Sequence, residues 1–307
     1  YTAADVVVAA GAASALSTAV PLTTRGDLLT RGASANARLA RGTSGYLLSS
    51  DGTDVAWRAP LFISVKDPAY GAVGNGSTDD TAAFTGALAA LTVGGVLIVP
   101  PGTYKITSQI VIPEGVTIWG AGRRSVASPP TAQLITSSIT GATAAITAAS
   151  GSDITIRDLY VSGRVSGSGN EIDFTGNSRR IRIENVTVNT STTGAGIALG
   201  TGGYCIQSEV SGCTVVGAAI GFISSASCTS ITWRQNYANN CTSVGYFIKG
   251  TYHALIACAA DGNTLYGYTL DTAYGVGMVG CGAESSGRSA LSFSTAENIA
   301  IVGFRSH

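Results

Sequence analysis

The sequence predicts an all-β solenoid with a single covering helix, and three observations carry that expectation. Glycines that open apolar triplets recur at Gly196, Gly221, Gly245 and Gly267, with Ser289 continuing the series, at steps of 25, 24, 22 and 22. A second column runs Asn185, Cys213, Asn236, Cys258 and Cys281, at steps of 28, 23, 22 and 23. Two columns that keep nearly one period mean stacked, equivalent coils. The third observation is composition: 40 glycines, one methionine and only 12% charged residues favour strands and turns over ordinary helices.

The same composition excludes several partners. A net charge of +0 leaves no global field to draw in nucleic acid or an acidic membrane surface. Residues 6–20 are mildly apolar, but they lack a basic leader and are too interrupted by Gly and Ser to span a membrane. The first residue is Tyr rather than Met, so the chain is expected to be a piece of a longer product. Six cysteines without a C-x-x-C pair, beside two distant histidines (His253 and His307), argue against a metal site. No Ser-His-Asp set, P-loop or nucleotide fingerprint is present, and no cofactor is implied.

Residues 1–60 form the first block. From residue 23 to 60 short apolar pairs alternate with Gly, Ser and Asp turns, the pattern of small hairpins that cannot bury a core alone. Thr24, Gly26, Asp27, Leu28 and Leu29, then Arg38, Leu39, Gly42 and Gly45, then Asp51 and Trp57 resemble short modules of phage tail fibres and tailspikes. Arg25, Arg31, Arg38 and Arg41 are read as solvated loop charges.

Residues 61–122 form the second block. A strand and a Gly-rich turn precede a helix capped around Ser77 to Asp80, with Asp79 and Asp80 at the positive end of its dipole. Ala83, Phe84, Ala87, Leu88 and Leu91 share one helical face, and Gly94 with Gly95 ends it. Strands follow around the PPGTY turn. The run from Val65 to Phe84, then Gly94 to Tyr104, then Val116 to Gly122 resembles the opening of the pectate-lyase-like superfamily. That resemblance implies a right-handed parallel β-helix, with this block as its N-terminal cap and first coils. Asn75 stands where the family usually has Asp, in a turn read as φ-positive glycines beside a helix cap rather than as a catalytic motif.

Residues 123–307 are then the coils. Pro129 and Pro130 mark an excursion before the period resumes. Apolar positions two apart (Ile154 and Ile156, Ile181 and Ile183, Ile299 and Ile301) mark short strands. About eight coils at the strand spacing of about 4.8 Å give a rod of roughly 40 Å. The Asn and Cys column is structural: amides pass hydrogen bonds between coils, and thiols fill the same slot as small hydrophobes. Cys258 with Cys281, and Cys205 with Cys228, fall within disulfide reach, but burial alone explains them as free thiols.

For chemistry, the candidate catalytic pair is Asp261 and Glu284, 23 residues apart and each three residues after a column cysteine. Carboxylates on adjacent coils shift one another's pKa apart, the condition for an acid beside a base, and their closeness suits a retaining better than an inverting glycosidase. Trp233, Tyr237 and Arg288 are the candidate sugar-binding residues. Asp158 and Glu184, beside Arg157 and Arg182, read as surface ion pairs.

The order of the two resemblances implies a phage tailspike. This would be a homotrimeric component of the virion tail, assembled in the host cytoplasm. It would meet other tail or baseplate proteins through residues 1–60 and recognise bacterial surface polysaccharide. Whether it also depolymerises that polysaccharide, as a hydrolase or a lyase, stays open. The alternatives are a non-catalytic adhesive tail protein and a secreted lyase or hydrolase; the latter calls for a signal peptide and a cleft of clustered acids and bases. The chain stops as a new coil begins, so more chain is expected to follow.

Overall fold

In the computed structural model the described residues are 22–33, 35–43, 46–58, 60–123, 132–148, 150–164 and 166–307. The apolar stretch 6–20, Gly45 and the excursion at Pro129 and Pro130 lie outside them. The chain divides into two compact units, Tyr1–Pro60 and Leu61–His307.

The described residues of the first unit hold two antiparallel hairpins, Leu28–Arg31 with Asn36–Leu39 and Leu47–Ser50 with Val55–Arg58. Its motif residues touch one another. The Asp27 carboxylate accepts from Thr24 N, Arg38 Nε and Arg41 N. Trp57 Nε1 donates to Ala40 O at 2.7 Å, and a Cβ on Gly42 would stand 2.5 Å from the Trp57 ring. The Thr-Gly-Asp start and the closing Trp are therefore a turn anchor and a lid over one small module.

Among the described residues the second unit is a parallel β-solenoid of about nine turns with a single helix, the expected architecture. Helix α1 (Thr81–Ala90) buries Ala83, Phe84, Ala87 and Leu88 against the first coils. Its start differs in detail from the expectation. Asn75–Asp79 is a strand, and Asp80 turns its carboxylate back onto the Val73 and Gly74 amides, while Asp79 accepts from the Thr81 amide at 3.0 Å. Gly74 and Gly76 take φ of +68° and +80°, so the Asn75 turn is conformational.

Each coil has a repeating order of faces. The face holding Thr155–Arg157, Arg182–Glu184 and Thr229–Arg234 is followed by a sharp corner, and then by a sheet of ten short strands running from Asn75–Asp79 to Arg305–Ser306. The corner is a single residue with left-handed backbone: Asp158, Asn185, Gly212, Gln235, Ala257, Gly280 and Gly303 all have φ between 51° and 65°. The residue after it points inward.

Two column assignments need correction by one residue. Thr187 pairs with Thr214, so Val186, not Asn185, faces inward above Cys213, and Asn185 is a corner residue. The slip adds one residue to a coil that is itself longer there: the corner steps 27 from Asp158 to Asn185 and 27 from Asn185 to Gly212, against 22 or 23 later. Likewise Tyr266 pairs with Ser289, so Gly267 meets Ala290 rather than Ser289. The glycine column exists for steric reasons: a Cβ on Gly245 would stand 2.6 Å from Gly267 O and 3.0 Å from the Ala260 Cβ.

Below the corner, Asn236 behaves as expected of a coil-to-coil ladder, accepting from Cys213 N at 2.9 Å and donating to Val210 O at 2.8 Å. All six cysteines are buried and free. Phe222, Tyr246 and Tyr268 stack at centroid distances of 4.9 and 4.7 Å, an aromatic spine through the later coils.

Candidate functional site

The ten-stranded sheet positions the candidate acids. Strand Ala259–Asp261 pairs in parallel with Gly282–Glu284, which sets Asp261 in register with Glu284 one coil apart. In each strand the middle residue, Ala260 or Ala283, is buried in the core. Period 2 therefore turns both carboxylates outward. Asp261 is half-buried and Glu284 exposed.

Tyr237 stands on the preceding coil, its strand Tyr237–Asn239 paired with Ala259–Asp261. Its hydroxyl donates to Asp261 Oδ2 at 2.9 Å. Burial first, then this hydrogen bond and the charges of Asp261 and Glu284, raise the Tyr237 pKa above that of free tyrosine. The phenol is thus held protonated as a donor beside the acids. On the other side, Gly282 pairs with Arg305 and Ala283 with Ser306, which brings His307 level with Glu284. Glu284, Arg305 and His307 line a concavity of about 470 Å³ whose walls are small residues, among them Ala257, Ala259 and Gly282.

The remaining two sugar-binding candidates fall elsewhere. Trp233 is wholly buried, stacked in register between Val210 and Leu255 and set edge-on to Phe222 at 6.1 Å, so it is a core residue and cannot touch a sugar. Its parity with Ile231, two positions earlier and also buried, is the sequence signal that places it inside. Arg288 is exposed in the connection between Gly282–Glu284 and Ser289–Ser294, four residues after Glu284.

His307 is isolated in the sequence; only the register of the last coil brings it to Glu284. The sequence also gives no sign of a wholly buried ion pair, Arg164 with Glu171, Nε to Oε1 3.3 Å. Glu171 accepts in addition from Arg164 N, Thr190 Oγ1 and Thr136 Oγ1, and Arg164 donates to Thr143 O and Asn170 O. This network fixes the connections between the ten-stranded sheet and the next face, remote from the acids. The expected surface pairs are present: Arg157 Nε lies 2.9 Å from Asp158 and Arg182 Nη1 3.9 Å from Glu184.

Known proteins share this architecture. The chain is similar in structure to the A-module of the Azotobacter vinelandii mannuronan C-5 epimerase AlgE6 (17% identity, 79% of this chain and 75% of that one, TM-score 0.59). It is also similar to the enzymatically active domain of tailspike protein 2 from bacteriophage CBA120 (14% identity, 95% of this chain and 52% of that one, TM-score 0.60). A third similarity is to the pre-mature gene product 12 of bacteriophage phi29 (15% identity, 80% and 41% coverage, TM-score 0.57). The chain thus spans about half the length of the tailspike domain it resembles. At these identities the likeness is one of fold. No curated protein matches the sequence. A family model does match, over residues 62–244, and the chain belongs to the rhamnogalacturonase A/epimerase, pectate lyase-like family.

Proposed function

We propose that this chain belongs to a phage tailspike that binds a bacterial surface polysaccharide on the outer face of its solenoid and cleaves it with Asp261 and Glu284. The observation that carries the reading is the register of Asp261 with Glu284 beneath the Tyr237 hydroxyl, beside a concavity. In this reading one carboxyl group works as general acid and the other as base or nucleophile. Tyr237 orients Asp261, and Arg305, His307 and Arg288 contact the sugar. The hairpin unit before the solenoid supports a tail-attachment role for residues 1–60, in keeping with their resemblance to tail-fibre modules. The similarity to a phage tailspike domain over nearly the whole chain supports the same assignment.

The spike is a homotrimer in this proposal. Tyr252 and Tyr274 are exposed on the later coils, away from that concavity, and meet edge-on at 6.0 Å, an apolar step suited to a neighbouring chain.

Incubation of the protein with bacterial capsular polysaccharide and lipopolysaccharide tests the reading. New reducing ends or unsaturated uronate are expected on a polysaccharide that the protein retains. Retention without any product would leave an adhesive tail protein; no retention on any polysaccharide would defeat the proposal. Light scattering should give three chains per particle, and a monomer would contradict the assembly.

A further inference from the structure

The concavity that Glu284 lines is only the last third of a longer feature. Three concavities follow the same corner of the solenoid, of about 500, 450 and 470 Å³ in chain order. The first and second share Asp158, and the second ends at Gln235, one corner step before Ala257 of the third. From Asp158 to Gly303 they follow from the fold: a one-residue left-handed corner leaves a shallow notch in each coil, and stacked notches make a groove, along which Arg123 reaches to donate from Nη1 to Gly212 O at 2.6 Å.

The N-terminal end of this groove is chemically unlike the rest. Trp119 sits at an outward position of strand Val116–Gly120 and is 45% exposed, so the core does not account for it. It stands in register between Ile98 and Arg157. The Arg157 guanidinium lies over the indole, 5.3 Å from a ring centroid, and is itself held by Asp158 at 2.9 Å. Asn185 Nδ2 donates to the second oxygen of Asp158 at 2.5 Å. Ring, cation and carboxylate are therefore ordered before any ligand arrives, which lowers the entropic cost of binding. The concavity beside the ring is lined by Ile98, Val99 and the small residues Gly120, Ala121 and Gly122.

We propose that Trp119 is a remote sugar subsite, and that one polysaccharide chain runs along the corner groove from Trp119 to the acid pair. The inference rests on the polysaccharide reading above. A pyranose ring has an apolar C–H face and a rim of hydroxyls; it matches an indole face bordered by Arg157 and Asp158, whereas an apolar peptide would leave both charges without use. From Trp119 the register steps through Arg157, Glu184, Ser211 and Arg234 to Ile256, whose coil carries Asp261. Five steps of about 4.8 Å separate the two coils by roughly 24 Å along the stack. Only oligosaccharides that span this distance engage both, and they gain avidity from the second contact.

The test uses size-graded oligosaccharides prepared from whichever capsular polysaccharide or lipopolysaccharide O-chain the wild-type protein retains. Affinity of the wild type should rise steeply once the oligomer exceeds the span. Trp119→Ala should remove that rise, weakening long oligomers about tenfold and short ones hardly at all. Trp119→Tyr, which keeps an aromatic face, should restore most of it. Fluorescence of the indole should respond to long oligomers in the wild type and lose that response in Trp119→Tyr. Unchanged melting of the variants excludes a folding defect. Equal loss at every length, or no loss at any, would overturn the subsite while leaving the polysaccharide reading intact; absence of binding to every preparation would overturn both.

Discussion

Tyr237 donates its hydroxyl hydrogen to Asp261 Oδ2 at 2.9 Å, and the two residues sit on neighbouring coils with their strands in register. Burial of the phenol comes first, and the nearby carboxylates of Asp261 and Glu284 add to it, in pushing the Tyr237 pKa up. Tyrosine labelled at the phenol carbon should show a Tyr237 resonance, assigned by its loss in Tyr237→Phe, that titrates above free tyrosine, as the buried Tyr104, Tyr246 and Tyr268 also should. Asp261→Asn should bring it down, because the acceptor charge is gone. A titration unmoved by that substitution would mean that the hydrogen bond does not form in solution.

His253 gives the protein an acid-sensitive joint. It is buried, its Nδ1 accepts from Ile231 N at 3.2 Å, and Nε2 lies 2.8 Å from Lys249 O. Burial lowers its pKa from 6.5 to about 4. The neutral ring is thus the folded form, and the unfolded chain takes up the proton first. Its contribution is complete above the unfolded value and is lost as pH falls from about 6.5 towards about 4, a loss of roughly 3 kcal/mol. Ser208 fills the equivalent role earlier in the same column, accepting from Ile181 N at 2.9 Å. His253→Ser should therefore fold, with a flatter melting temperature between about pH 6.5 and 4 than the wild type. An equally steep profile would contradict the assignment.

Steric need, rather than flexibility, explains the glycine column. Gly245→Ala forces a Cβ to 2.6 Å from Gly267 O, and should cost about 1–3 kcal/mol in chemical denaturation. Gly277→Ala, with nothing within 4 Å of the added carbon, should cost little. Equal effects would show that the column is not a packing constraint.

The Arg164–Glu171 pair is wholly enclosed, so removal of one partner strands the other. Glu171→Ala should destabilise by about 3–5 kcal/mol, far more than removal of an exposed partner such as Asp153→Ala from the Arg180 pair. Similar losses from the two would place the pair in contact with solvent.

Much of the fold was legible because a solenoid writes its geometry into one dimension. The cap, the helix face from Ala83 to Leu88 and the spacing of Cys258 and Cys281 all depend on local pattern, and the structure keeps them. What slipped was register by a single residue: Asn185 resembles Asn236 chemically, but an Asn serves equally as a left-handed corner and as an interior ladder. Trp233 was misplaced because residue type was weighed above parity. The Arg164–Glu171 pair and the Trp119–Arg157 stack were out of reach for another reason. Each joins residues whose meeting depends on how an irregular connection or excursion closes, and no period encodes that.

If the registered acids cleave the polymer that the groove binds, turnover needs both carboxyl groups. Wild type, Asp261→Asn and Glu284→Gln are compared on a retained polysaccharide, with reducing ends and binding read in parallel. Each substitution should cut cleavage by about 10²–10⁴ while binding persists. Full cleavage by either variant would rule out the pair and move the chemistry to another region of the molecule.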